Sequence, residues 1–246
     1  MDESWSALPE IPVPPLSPPA ALDPDRLQVL RRAAAEQHQA LEALRRGGLN
    51  VVGEVLKGQG TFYEMNHYPE GDVFDDLSHA QYYYHAHRDG EHGHFHTFVR
   101  RAAMPADLKP AAGFRRSEPG PQGEEALAHL IGISMDSWGY PLGLFAANRW
   151  VTGESWYSAE DCIALLDRFH IDHARPNLAV NLWLTAFMRL FRPQIALLLR
   201  HRDRVIEAWQ AAHPERDVLE DRSLEITGYL PIDVRHWVAA LDQSAV

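Results

Sequence analysis

Residues 81–100 read Gln-Tyr-Tyr-Tyr-His-Ala-His-Arg-Asp-Gly-Glu-His-Gly-His-Phe-His-Thr-Phe-Val-Arg. Two alternating runs flank Asp89-Gly90. Asp-Gly is the favoured pair for a two-residue type I′ hairpin turn, in which both central residues take positive φ. That turn sets a register: Arg88 opposite Glu91, His87 opposite His92, His85 opposite His94, Tyr83 opposite His96 and Gln81 opposite Phe98. Strand side chains alternate faces with period two. One face then carries Gln81, Tyr83, His85, His87, His92, His94, His96 and Phe98. The other carries Tyr82, Tyr84, Ala86, Gly93, Phe95, Thr97 and Val99, with an Arg88–Glu91 ion pair at the tip. The second face is apolar and predicts packing against helices.

The rest of the chain supplies those helices. Asp23-Pro24 is an N-cap followed by proline at the first helical position. Leu27, Leu30, Ala34, Leu41 and Leu44 recur at helical spacing until Gly47-Gly48. Leu49 to Leu56 and Thr61 to His67 read as strands around Gly58-Gln59-Gly60. Residues 101–124, rich in Pro, Gly and charge, read as a surface loop. His129 to Asp136 and Leu142 to Val151 read as a second hairpin across 137–141. Ser158-Ala159-Glu160-Asp161 is a capping-box start. Helices follow at about 159–170, 177–192 and 194–211, broken by Pro193, with a short last helix over Pro231 to Leu241. Helix, strands, then helices predicts an α+β fold: an antiparallel β-sheet with helices packed mainly on one face. Trp183, Phe187, Leu190 and Phe191 mark a helix apolar nearly all round, which fits a central core helix or, alternatively, a homodimer interface.

Length and composition bound the function. The 246 residues suit a single α+β domain over 23–246, preceded by a proline-rich arm, 1–22, expected to be disordered. Hydrophobic residues make up 46% and charged residues 23%, ordinary for a globular protein. The formal net charge of −11 disfavours a nucleic-acid partner, since an acidic chain gains nothing by releasing phosphate counterions. The lone cysteine, Cys162, excludes an internal disulfide framework and points to a reducing, cytoplasmic compartment. The start lacks the pattern of a secretory signal. Leu178 to Leu199 is interrupted by Asn181, Arg189, Arg192 and Pro193, which argues against a membrane span.

The unusual feature is histidine: 14 in the chain, five of them between His85 and His96. Directly opposed Cβ atoms on paired strands lie about 4.5–5.5 Å apart. Imidazoles from such positions can converge on one ion at about 2.0–2.1 Å per nitrogen. The competing reading is a solvated polar face, but facing imidazolium pairs would only repel. His85, His87, His92, His94 and His96 are therefore candidate ligands of a transition metal ion. The best trio is His85, His87 and His94, with His92 fourth or behind it and His96 free to orient substrate. With no thiolate in the cluster, an imidazole site suits zinc, iron or copper; haem on the same face stays open. Tyr83, Arg149 and Glu154 are candidate catalytic residues, Arg149 as an anion clamp and Glu154 as an acid or base. His79, Asp75, Asp76, Glu64 and His67 can complete the site. His170 and His173 end a helix, where an imidazolium favours the dipole.

His92-Gly93-His94-Phe95-His96-Thr97-Phe98 resembles the histidine-triad motif of nucleotide hydrolases and transferases. That resemblance implies attack on an α-phosphate by the middle histidine, His94. It departs where Gly93 and Thr97 replace apolar residues, and it leaves His85-Ala86-His87 unexplained. His85-Ala86-His87 with Glu91 is similar to the first cupin motif, without its preceding glycine. Through Tyr82–Arg100 and Gly143–Glu154 the chain resembles an uncharacterised bacterial family of unknown function, which implies no activity. The expectation is a metal-dependent enzyme acting on a small molecule, by hydrolytic or oxidative chemistry; the alternatives are a histidine-triad-like phosphoryl hydrolase or transferase, and a non-catalytic metal-binding protein.

Overall fold

In the computed structural model, residues 11–114 and 120–244 are described. Helix α1, Pro24–Arg46, starts where Asp23 accepts a hydrogen bond from the backbone N–H of Arg26 at 2.9 Å. It buries Leu27, Leu30, Ala34 and Leu44 along one stripe, as the spacing predicts. The next segment differs from expectation. Val51–Leu56 is a short helix, α2, not a strand. Its β-branched residues suggest a strand, but the Asn50 side chain accepts from Gly53 N–H and caps a helical turn, which buries Val51, Val52 and Val55 together. Residues 61–67, also expected as a strand, are irregular, and strand β1 begins one residue later at Tyr68–Phe74.

Strands β2, Ala80–His85, and β3, Gly93–Arg100, form the expected hairpin. Tyr83 pairs with His96, His85 with His94 and Gln81 with Phe98, as the sequence predicts. The ladder then stops, and residues 86–92 form a longer loop rather than a two-residue turn. Gly90 has φ +83°, but Asp89 is not among the residues with positive φ, so the type I′ geometry is not met. Strands β4, Leu127–Met135, and β5, Pro141–Ala147, make the second hairpin. A last strand, β6, Ile226–Pro231, carries no strand signal in the sequence, because Gly228 and Pro231 obscure it. Among the described residues, six strands form one sheet, all neighbours antiparallel, in the order β1-β2-β3-β4-β5-β6.

The remaining helices are α3, Arg149–Thr152; α4, Ala159–Leu165; α5, Leu178–Leu190; α6, Arg192–Ala212; and α7, Val234–Gln243. The Ser158 cap holds: its hydroxyl accepts from Asp161 N–H. Pro193 lies in the first turn of α6, and α5 and α6 meet at a 67° bend. Described residues contain no single helix long and apolar enough to cross a membrane. Helix α5 lies between α1 and the sheet, which explains why it is apolar on several sides. Trp183 approaches Phe95 with ring centroids 6.4 Å apart, and the Tyr82 hydroxyl donates to Asn181 Oδ1 at 2.6 Å. The tyrosine face thus meets the helices, and the histidine face is left for other cover. Of the proline-rich segment, residues 1–10 lie outside the described residues; Val13, Leu16 and Leu22 pack on the core.

Candidate metal centre

The hairpin register puts His85, His94, His96 and Tyr83 on one side of the sheet, and all four are buried. His85 Nε2 and His94 Nε2 stand 2.7 Å apart. His87, half-buried in the loop beyond β2, closes on both, its ring centroid 4.9 Å from His85 and 5.0 Å from His94. One nitrogen from each of His85, His87 and His94 fits within 4.8 Å of the others, so the trio can hold a metal ion. His96 lies alongside, 5.1 Å from His85 and 4.9 Å from His94 between centroids.

Two of the expected positions change. His92 lies across the sheet, where its ring stacks on Phe62 at 5.5 Å and its Nδ1 meets the Tyr84 hydroxyl at 2.8 Å. It is not a ligand of the cluster. The cause is the longer loop: His92 N–H bonds to the Met135 carbonyl, and the side-chain alternation of β3 starts only at Gly93. The shared face that the histidine-triad resemblance implies for His92, His94 and His96 is therefore split. Glu91, expected to point outwards to Arg88, turns inwards. Its carboxylate meets His94 Nδ1 at 2.5 Å and accepts from the Ser134 hydroxyl. Arg88 forms its ion pair with Glu225 at 3.0 Å and lies over the Phe145 ring.

A β-bulge supplies a residue that alternation hides. Thr97 pairs with Ile131, but Phe98 pairs with His129, so Leu130 is skipped. The bulge turns His129 to the histidine side, where its Nε2 meets His96 Nδ1 at 2.9 Å. The irregular ladder leaves the His129 N–H to Glu154, whose Oε2 accepts it at 2.6 Å. Glu154 also accepts from the Thr152 hydroxyl. Glu154 is thus seated on the backbone of the bulge. Arg149 is bound to Glu220 at 2.7 Å. Asp75 accepts from the N–H groups of Leu77 and Ser78, shaping the turn before β2, where His79 has φ +57°.

Two glycines make room. A Cβ on Gly132 would lie 2.2 Å from the Phe145 ring, which covers Gly132 and reaches the edges of His94 and His96 at 5.1 and 5.6 Å. A Cβ on Gly93 would strike the Tyr84 ring and the His85 carbonyl. On the outer side, His67 stacks on Tyr83 at 3.6 Å and stands edge-on to His85 at 5.7 Å. His67 also lines a cleft of about 790 Å³ with Gln59, Tyr63, Asn66, Glu70 and Asp72.

Burial sets the protonation states. It pushes the His85 imidazole down to about 3, with the neighbouring His87, His67 and Arg88 adding to the effect. His94 and His96 fall well below the ordinary imidazole range for the same reason, and His129 falls to about 3. The cluster is therefore neutral at physiological pH, and its ring lone pairs are available to an ion. Burial raises the Glu91 carboxyl to about 7 against the opposing hydrogen bond from Ser134, and it keeps the Tyr83 phenol protonated.

A family profile described as a domain of unknown function, DUF6969, matches residues 31–232. The chain belongs to the DUF6969 family. The match spans every strand, every ligand candidate and the Glu154 contact, so the site lies wholly within the DUF6969 region. No curated protein and no solved structure matches the chain.

Proposed function

We propose that this DUF6969 protein is a metal-dependent enzyme acting on a small molecule, with the ion held by His85, His87 and His94. The observation that carries the reading is the approach of two buried, neutral nitrogens, Nε2 of His85 and of His94, to 2.7 Å, with Glu91 bracing His94 from behind. Two nitrogens bound to one tetrahedral ion at about 2.0–2.1 Å each stand roughly 3.4 Å apart, so a slight opening of the pair seats an ion. A carboxylate on the distal nitrogen of a ligating histidine fixes its tautomer and raises its basicity.

Three imidazoles leave a coordination position for water or substrate, which favours catalysis over a closed structural site. The cleft beside His67 offers a small molecule a route to that position. Tyr83, protonated and next to His85 and His96, can donate a hydrogen bond to substrate. The donor set suits zinc, iron or copper. Rings packed at 4.4–5.1 Å leave no slot for a porphyrin between them, which favours a bare ion over haem. The acidic charge argues against a nucleic-acid substrate, and the lone cysteine, Cys162, fits a cytoplasmic role.

Elemental analysis of protein purified without an affinity tag tests the reading. Stoichiometric zinc, iron or copper is expected, and its loss in the His85→Ala/His94→Ala variant. Azide or cyanide should then perturb the spectrum of the cobalt- or copper-loaded protein. Metal bound with no response to either anion favours a binding or storage protein. A metal-free protein that hydrolyses nucleotides favours the triad alternative.

A further inference from the structure

A row of directly paired residues runs from His94 on β3 to Ser134 on β4 and Gly143 on β5. Directly opposed residues project to the same face of a sheet. Gly143 leaves its place in the row empty, and Tyr229 of β6 fills it: a Cβ on Gly143 would stand 2.2 Å from the Tyr229 hydroxyl oxygen. Tyr229 itself pairs with Phe145, two residues along β5. Its ring therefore leans diagonally over Gly143 and brings the hydroxyl beside Ser134, to whose side chain it hydrogen-bonds. Ser134 is buried and donates its hydroxyl proton to Glu91 Oε2, while Glu91 Oε1 meets His94 Nδ1 at 2.5 Å. A serine hydroxyl has one proton. With that proton on Glu91, the Ser134 oxygen accepts, and Tyr229 is its donor. One chain of hydrogen bonds thus runs from Tyr229 through Ser134 and Glu91 to a candidate metal ligand.

We propose that Tyr229 and Ser134 are positioning residues of the metal centre, which hold Glu91 as an acceptor, keep the His94 proton on Nδ1 and leave the His94 Nε2 lone pair for the ion. The inference rests on the metal-centre reading above and deepens it. A neutral imidazole has one N–H, so an acceptor fixed at Nδ1 settles the state of Nε2. Without the Tyr229 hydroxyl, the Ser134 oxygen lacks its donor and the Ser134 proton is no longer committed to Glu91. Without Ser134, Glu91 Oε2 is a buried oxygen that has lost a donor, and such an oxygen is costly to leave unpaired. Gly143 belongs to the same device, since any side chain there would exclude the Tyr229 hydroxyl from its place beside Ser134.

The test is the affinity of the untagged, metal-stripped full chain for Co2+ and Zn2+, with the cobalt absorption spectrum as a second readout. Ser134→Ala breaks the chain at its middle. It should weaken binding about 10-fold, the lower end for a residue behind a ligand. Tyr229→Phe keeps the ring and removes only the outer donor. It should weaken binding about 2–10-fold, the worth of one hydrogen bond. Both variants should shift the cobalt spectrum in the same direction. In a Glu91→Gln background, where the carboxylate is already gone, neither substitution should weaken binding further. The inference is overturned if either single variant binds like wild type, or if the losses persist undiminished in the Glu91→Gln background. In either case wild-type binding leaves the trio reading standing. A wild-type chain that binds neither ion overturns both. Nitrogen-15 imidazole spectra of the metal-free protein read the tautomer directly: a His94 proton on Nδ1 is expected, and one on Nε2 overturns the proposal.

Discussion

His94 is gripped at both ring nitrogens, Nδ1 by the Glu91 carboxylate at 2.5 Å and Nε2 by His85 at 2.7 Å. Two strands and the loop between them meet at that one ring, so the hairpin's fold and its chemistry depend on the same contacts. A metal bound there couples to stability, because an unfolded chain has no such cluster. At a free ion concentration 100-fold above Kd the gain is about 2.7 kcal/mol. For a chain of this size that raises Tm by roughly 5–10 °C. Thermal unfolding of the stripped protein with and without added metal should show the rise, and His94→Ala should abolish it. An equal rise in His94→Ala would place the binding elsewhere.

Glu91 gives a second prediction. Glu91→Gln keeps the shape and can still accept from Ser134, but it removes the charge behind His94. Metal affinity should fall about 10–100-fold with little change in secondary structure. Calorimetric titration of the variant measures it. Unchanged affinity would make Glu91 a packing residue only.

A third prediction concerns Gly132. Gly132→Ala sets a methyl group against the Phe145 ring, at a position where the glycine and the ring fill the same layer. Overpacking of this kind costs about 1–3 kcal/mol. The denaturant midpoint should fall accordingly. Phe145→Leu in the same chain should return part of the loss, which a purely local backbone effect would not allow.

What the sequence makes legible follows the rule of alternation and stops where that rule breaks. The pairing of Tyr83 with His96 and of His85 with His94 follows from two alternating runs about a turn signal. Asp89-Gly90 marks the reversal correctly but not its length, since nothing in the pair shows that Glu91 gains more by turning in to His94 and Ser134 than by facing Arg88. That preference is tertiary, and it carries His92 to the wrong side for a ligand. The bulge at Phe98 is likewise silent in sequence: strict alternation from Gly132 selects Leu130, whereas the structure presents His129. The valines of Val51–Leu56 read as strand by propensity and fold as helix because Asn50 caps them and the core wants Val51, Val52 and Val55 on one side. The α+β layout survives these local errors, because it depends on the long amphipathic helices and the two hairpins.

Glu154 supplies a pH dependence whose sign can be worked out. Burial raises its carboxyl from 4.5 to about 7, against the pull of Arg202 and its bond to the His129 N–H. In the unfolded chain the group loses its proton near its ordinary value, whereas the native state retains it to about 7. Between those values the native state binds more protons, so stability declines as pH rises, by about 3 kcal/mol in all, and levels off above about 7. Glu154→Gln removes this contribution while keeping an oxygen to accept from His129 N–H. The buried histidines act in the opposite sense, since their lowered values favour the native state as pH rises. The informative quantity is therefore the difference between variant and wild type, from urea unfolding at a series of pH values. That difference should move in the variant's favour from pH 4.5 to 7 and then stay constant. A difference that is flat across the window, or that moves towards wild type, would mean that Glu154 is already ionised in the fold.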